Sequence, residues 1–216
     1  MTEGLLYVLS EPGAVEEAEF HDWYDTEHAP ARLTVPGIHN GFRHRADDGL
    51  TPSWMACYDL TLDALSSPEY ARLRERSPRE QRVVDSLATL DRRLYELLDA
   101  HGDAPKEPAV TLCVGMSTTD EDSFHDWYLG EHIGLLHSLP GWWRTRRYRR
   151  LEGAGPDFLA VHDIIGTDLF GSVMYRRATR TPLREQIMRT VTERERRVFR
   201  FHNRVSGEAA GPASDG

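Results

Sequence analysis

GLLYVLS at residues 4–10 and AVTLCVGM at 109–116 are short apolar runs, β-branched and aromatic in character and bounded by Pro, Gly and Asp. They read as strands. After each run the apolar period lengthens to that of a helix. Phe20, Trp23, Tyr24, Glu27, His28 and Ala31 fall at i, i+3, i+4, i+7, i+8 and i+11, one stripe of an α-helix, and Phe124, Trp127, Tyr128, Glu131, His132 and Leu135 repeat that stripe. Pro36-Gly37 and Pro140-Gly141 stop the two helices. Two strands follow in each case: IHNGFRHRA and SWMACYDLTL around the turn-rich DDGLTP, then WWRTRRYRRL and DFLAVHDII around EGAGP. A second helical region opens on Ser77-Pro78 with Glu80 three residues after the Ser, and on Thr181-Pro182 in the second copy. Closing strands near RRLYELL and RRVFRFH complete the order βαββαβ twice.

The correspondence is a duplication. Phe20 to Tyr24 recur in order as Phe124 to Tyr128, and Glu27-His28 as Glu131-His132, all at an offset of 104 residues. That period is far longer than a solenoid repeat, so each copy is a domain. The expected organisation is a first repeat at 1–100, a linker at 101–108, a second repeat at 109–206 and a disordered tail at 207–216. A βαββαβ unit covers one face of its sheet with helices and leaves the other bare. Two copies on one chain can join their bare faces. The fold class expected is therefore α+β, two tandem ferredoxin-like repeats forming an intramolecular eight-stranded α/β barrel.

Charge and composition narrow the function. The 216 residues carry a formal net charge of −9, which argues against a general nucleic-acid binder despite the local basic run RTRRYRR at 144–150. Such a run on a strand reads as a solvated face, with acids such as Glu193 and Glu195 as partners. No apolar run is long enough to span a bilayer, and the first residues lack the features of a secretion signal, so a cytoplasmic protein with no membrane partner is expected. Cys57 and Cys113 occupy unmatched positions of the repeats and read as buried thiols. No HExxH, CxxC, phosphate loop, nucleophile elbow or nicotinamide fingerprint occurs, so neither a metal nor a cofactor is expected.

The phrase Phe-x-x-Trp-Tyr-x-x-Glu-His, followed about eight residues later by Pro-Gly and a strand, resembles the EthD-like branch of the dimeric α/β-barrel superfamily. The resemblance covers nearly the whole chain, once per half, and implies a fused pseudo-dimer. Relatives across that superfamily include cofactor-free monooxygenases, decarboxylases, dehydratases and isomerases acting on hydrophobic or polyketide-like molecules, together with haem-binding branches. Fold alone does not choose among them.

Residue chemistry supplies the candidates. His28 and His132 put a group that titrates near neutral pH on an otherwise apolar stripe. Asp25 lies within helical reach of His21 and His28 and would orient an imidazole; Leu129 replaces it in the second copy, which favours the N-terminal helix as the reacting one. Tyr24 and Tyr128 can orient a substrate carbonyl. Strand alternation puts Trp54, Ala56, Tyr58 and Leu60 on one face, matched by Phe158, Ala160, His162 and Ile164, and this face is assigned to the barrel interior. His44 and Tyr148 show the same divergence between copies as Tyr58 and His162, and complete the substrate-binding set. The reading is a cofactor-independent enzyme of dehydratase, cyclase, isomerase or oxygenase type, using histidine acid/base chemistry on a hydrophobic substrate. A non-catalytic ligand-binding or structural barrel and a haem-binding barrel remain open alternatives. So does further pairing into a homodimer.

Overall fold

The computed structural model describes residues 2–105 and 109–205. The expected tail, and residues 106–108 of the expected linker, lie outside the described residues. The described residues divide into two compact units, residues 2–96 with 202–205, and residues 97–105 with 109–201.

In the first unit β1 (Glu3–Glu11) is followed by α1 (Glu17–Trp23), a π-helical turn (Tyr24–His28) and α2 (Ala29–Leu33) as one continuous helical segment. Strands β2 (Ile38–Ala46) and β3 (Trp54–Thr61), short helices α3 (Pro68–Arg72) and α4 (Pro78–Ser86), and β4 (Thr89–Gly102) as far as Glu96 follow in it. The second unit repeats the order with β5 (Val110–Thr118), α5 (Glu121–Trp127), a π-helical turn (Tyr128–His132), α6 (Ile133–His137), β6 (Trp142–Glu152), β7 (Phe158–Ile164), α7 (Val173–Ala178), α8 (Pro182–Ile187) and β8 (Val191–Val205), whose residues from His202 onward belong to the first unit. Strand β4 runs through His101 and Gly102, which the sequence had placed in the linker. Hydrogen-bonded strand order is β1-β3-β2-β8-β5-β7-β6-β4, closing as an antiparallel barrel.

Register decides which side chains meet. Leu6 pairs with Tyr58 and with Leu94, and Val8 pairs with Ala56, so these residues share a face. They form one core cluster with Phe20, Trp23, Tyr24 and Ala29 of the helical segment. Trp54, Ala56, Tyr58 and Leu60 therefore lie beneath the helices, and the assignment of this face to the barrel interior is wrong. Alternation could not settle the point because both faces are buried: Leu5, Tyr7 and Met55, on the opposite face, are at most 1% exposed. His44 pairs with Met55 and Tyr148 with Leu159, so both lie on that opposite face, away from Tyr58 and His162.

The π turn corrects the helical stripe. An extra residue in the turn advances the phase by one, so Leu136 is buried where Leu135 was expected; in the first copy Ala29 is buried and Ala31 only partly so. The Pro-Gly stops behave as read: Gly37 and Gly141 adopt φ of 90° and 89°, a left-handed conformation open to glycine. Ser77 and Thr181 cap α4 and α8, accepting from the backbone N–H of Glu80 at 3.0 Å and of Arg184 at 3.1 Å.

Candidate functional site

Much of the repeated motif is framework. Glu27 accepts a hydrogen bond from the Ser77 hydroxyl, and Glu131 accepts one from Thr181, so each motif glutamate ties the first helical segment to the cap of the second. His21 Nδ1 lies 2.9 Å from Arg43 Nη2, and His125 Nδ1 lies 3.2 Å from Arg147 Nη1. Each guanidinium also covers the following tyrosine, Arg43 at 4.3 Å from the Tyr24 ring and Arg147 at 5.0 Å from Tyr128. Arg43 Nη1 donates to Asp25 at 2.7 Å, and Asn203 donates to the same carboxylate at 3.1 Å. Asp25 is thus the counter-ion of a buried arginine and does not orient His28, because the π turn displaces it from the spacing of a regular helix.

The two halves diverge at the end of the motif. In the first unit His28 Nδ1 meets Glu80 Oε1 at 2.8 Å, and the Tyr58 hydroxyl donates to Tyr24 at 3.2 Å. Burial drives the His28 pKa down to about 3 against the opposing pull of Glu80. Burial likewise raises both tyrosines. The four polar groups satisfy one another within the helix-to-sheet core.

In the second unit the same positions line a cavity. Its enclosed space is small, about 30 Å³, and it opens to solvent; its walls include His132, His162, Tyr128, Arg184, Arg194 and Arg196. An adjacent pocket, of only about 10 Å³, is bounded by Phe124, Tyr128, Arg147, Tyr148 and Phe158. His132 stacks on Trp127 at 4.4 Å between ring centroids, and its Nδ1 is buried with no hydrogen-bond partner among the described residues. Burial, followed by the Arg184 charge, lowers its pKa to about 4 although the Ala178 backbone hydrogen-bonds the ring. Burial, with the nearby His132, His137 and Arg196, holds His162 well below the ordinary histidine range. Tyr128 is pushed up to about 12 by burial, so its hydroxyl stays protonated and able to donate.

Thr145, fully buried, organises His162. Its Oγ1 lies 2.9 Å from His162 Nδ1 and 3.0 Å from His137 Nε2, and accepts from Trp142 Nε1 at 3.2 Å. A hydroxyl has one proton and two lone pairs. With Trp142 taking one lone pair, two arrangements satisfy the remaining groups. In one, His162 donates through Nδ1, Thr145 donates to His137, and His162 Nε2 is a base. In the other every proton shifts, and Nε2 carries a hydrogen. His137, at the far end, is only partly buried.

The first unit has no such relay. Gly41 stands where the second has Thr145, and a Cβ there would lie 2.9 Å from the Tyr58 ring. Gly41 pairs with Tyr58 as Thr145 pairs with His162, so the small residue accompanies the large ring and the hydroxyl accompanies the imidazole.

The structure therefore brings His132, His162 and Tyr128 together in one cavity, joins His28, Tyr24 and Tyr58 in a hydrogen-bonded and ring-packed core, and sets Trp54 against His21 at 4.5 Å between rings. His44 falls outside these groups, and Tyr148 borders the smaller pocket. Sequence reasoning missed Thr145, His137, Arg184, Arg194 and Arg196. The signal was divergence between repeats, since Arg184 occupies the position of Glu80 and Arg194 that of Leu90.

Four arginines of the basic run 144–150 are neutralised by acids. Arg144 pairs with Asp163, Arg147 with Asp99, Arg149 with Glu121 and Arg150 with Asp157. Both cysteines are buried thiols that form no disulfide. No group of three His, Cys, Asp or Glu side chains able to hold a metal occurs among the described residues, and no helix among them is long and apolar enough to cross a membrane. At about 30 Å³ the cavity is far smaller than a haem, and the residues present do not fit that group.

No protein-family model matches the chain, and no curated protein matches it. Solved structures do. An anthrone oxidase-like protein aligns with a TM-score of 0.69 at 13% identity, covering 98% of this chain and 96% of its own. A mutant chlorite dismutase from Candidatus Nitrospira defluvii gives 0.59 at 10% identity over 94% and 93%. A ferredoxin-fold protein related to antibiotic biosynthesis monooxygenases, from Listeria monocytogenes, gives 0.50 at 12% identity over 94% and 96%. At such identities the likeness is one of fold: the chain is a tandem-repeat form of the dimeric α/β barrel.

Proposed function

We propose that this protein is a small-molecule enzyme that moves a proton on an enolisable, largely hydrophobic substrate held in the cavity of the second unit. The observation that carries this reading is the relay of His162, Thr145 and His137, which lets one imidazole present either a lone pair or a proton to the cavity. His162 Nε2 removes a proton from carbon beside a carbonyl, and the Tyr128 hydroxyl donates to the oxygen on which negative charge develops. The acquired proton leaves along Thr145 to His137, resetting the base. Apolar walls from Leu112, Val114, Met116 and Trp142 exclude water from the carbanion. The fold is shared with an anthrone oxidase-like protein and a relative of biosynthetic monooxygenases, whose names are in keeping with proton removal from a flat carbocycle.

The sequence placed the reaction at His28. Its ring is occupied by Glu80, which favours a framework role, whereas His162 faces a cavity. The proposal is tested by solvent deuterium exchange at the benzylic carbon of a panel of aryl ketones, neutral (phenylacetone) and carboxylated (phenylpyruvate), followed by NMR. Acceleration over the buffer rate, lost in His162→Gln, is expected. No acceleration of any panel member by the wild-type protein, or acceleration unchanged in His162→Gln, overturns it.

A further inference from the structure

The cavity of the second unit carries an excess of positive charge with no structural explanation. Arg184 from α8 and Arg194 and Arg196 from β8 reach its wall, and its lining includes no carboxylate. Among the described residues none of the three has an ion pair, in contrast to Arg144, Arg147, Arg149 and Arg150 on β6. Arg196 instead lies over the Phe170 ring at 4.6 Å. Arg184 and Arg194 are close enough for their like charges to oppose each other, which with burial lowers the Arg184 pKa. Converging guanidiniums without counter-ions cost stability unless something anionic joins them.

The other half shows that the fold does not require this. Glu80 stands in the first unit where Arg184 stands in the second, and it neutralises the site by pairing with His28. Leu90 stands at the position of Arg194. Replacement of an acid and a leucine by two arginines turns a closed, satisfied cluster into an open cationic one around His132, a residue 7% exposed whose buried Nδ1 has no partner among the described residues.

We infer that the substrate of this cavity is an organic acid, its carboxylate held by Arg184, Arg194 and Arg196 and its apolar body lying against Trp142, Leu112 and Val114. This rests on the reading of the second-unit cavity as the substrate site. Guanidinium forks suit a carboxylate bidentately. The same contact has a chemical consequence. Burial is the main cause that lowers both rings, but Arg184 adds to it at His132 and Arg196 is among the charges that add to it at His162, so an anion that offsets these arginines makes both rings better proton acceptors once substrate is bound.

Phenylacetate and its neutral analogue phenylacetamide test the inference on the full-length protein. Binding is read from the ring ¹H–¹³C resonances of His132 and His162, assigned with His132→Gln and His162→Gln. Phenylacetate is expected to shift both resonances, with phenylacetamide at least about tenfold weaker and phenylacetate binding weakened about tenfold in each of Arg184→Gln and Arg194→Gln. Arg194 is exposed, so that variant keeps the test open should Arg184→Gln not fold. If acid and amide bind alike and the arginine variants leave both unchanged, the organic-acid inference falls while the cavity reading stands. If neither ligand shifts either histidine, both fall.

Discussion

Replacing each motif histidine by phenylalanine should produce very different losses, because equivalent rings have unequal polar partners. His28 shares a 2.8 Å hydrogen bond with Glu80, and both side chains are 13% exposed. His28→Phe removes that bond and strands a largely buried carboxylate. A charge-assisted hydrogen bond contributes about 1.5–3 kcal/mol, and the abandoned charge adds to the loss, so the cost should be about 3–4 kcal/mol. His132 has a buried Nδ1 with no partner among the described residues. Its replacement relieves an unsatisfied nitrogen worth about 1–3 kcal/mol while forfeiting a bond to the Ala178 backbone of about 1 kcal/mol and leaving that group unpaired. The Phe ring keeps the stack on Trp127, so the change at His132 should lie within about 1 kcal/mol of zero. The gap between variants is then about 3 kcal/mol, or roughly 6–12 °C in Tm for a protein of this size. Urea and thermal unfolding of both variants measure it. Equal losses at the two sites would refute the claim that one histidine is framework and the other is kept for the cavity.

Three further outcomes are expected. Thr at position 41 should crowd the Tyr58 ring and cost about 1–3 kcal/mol, with most of that recovered in the double variant Gly41→Thr, Tyr58→His; additive losses in a double-mutant cycle would deny the coupling. Glu27→Ala and Glu131→Ala should each destabilise by about 1–2 kcal/mol, since each removes a tie to a helix cap, and urea midpoints that do not move would contradict that role. Acid should weaken the fold before carboxylates titrate. His28 and His132, with folded pKa values of about 3 and about 4, stay neutral where the unfolded chain takes up protons near pH 6.5, so stability is full above pH 6.5 and falls as pH drops toward those values. At pH 5 the loss reaches up to about 2 kcal/mol for each ring, and a midpoint equal at pH 7 and pH 5 would contradict the burial of neutral histidines.

The duplication, the element order and the positions of the helix stops were legible because they rest on period, spacing and glycine, all local properties. The facing of β3 and β7 was not, since both sides of each strand are buried and alternation then carries no sign. Asp25 and His28 were misjoined for a different reason: a π turn has no distinct composition, and an α-helical ruler laid across it brings the wrong side chains together. Tyr58 and His162 were found by asking where the copies differ. Extending that question to Glu80 and Arg184, and to Gly41 and Thr145, would have reached the relay and the arginines, although nothing in the sequence says that these residues converge.

The central claim is that chemistry belongs to the second unit while its counterpart in the first has become framework. Deuterium exchange rates on aryl ketones should be compared for His162→Gln and His28→Gln, the latter chosen because glutamine can still donate to Glu80. The account predicts a loss of at least about 100-fold for His162→Gln and a rate near wild type for His28→Gln. A large loss confined to His28→Gln would place the reaction in the other half and contradict it.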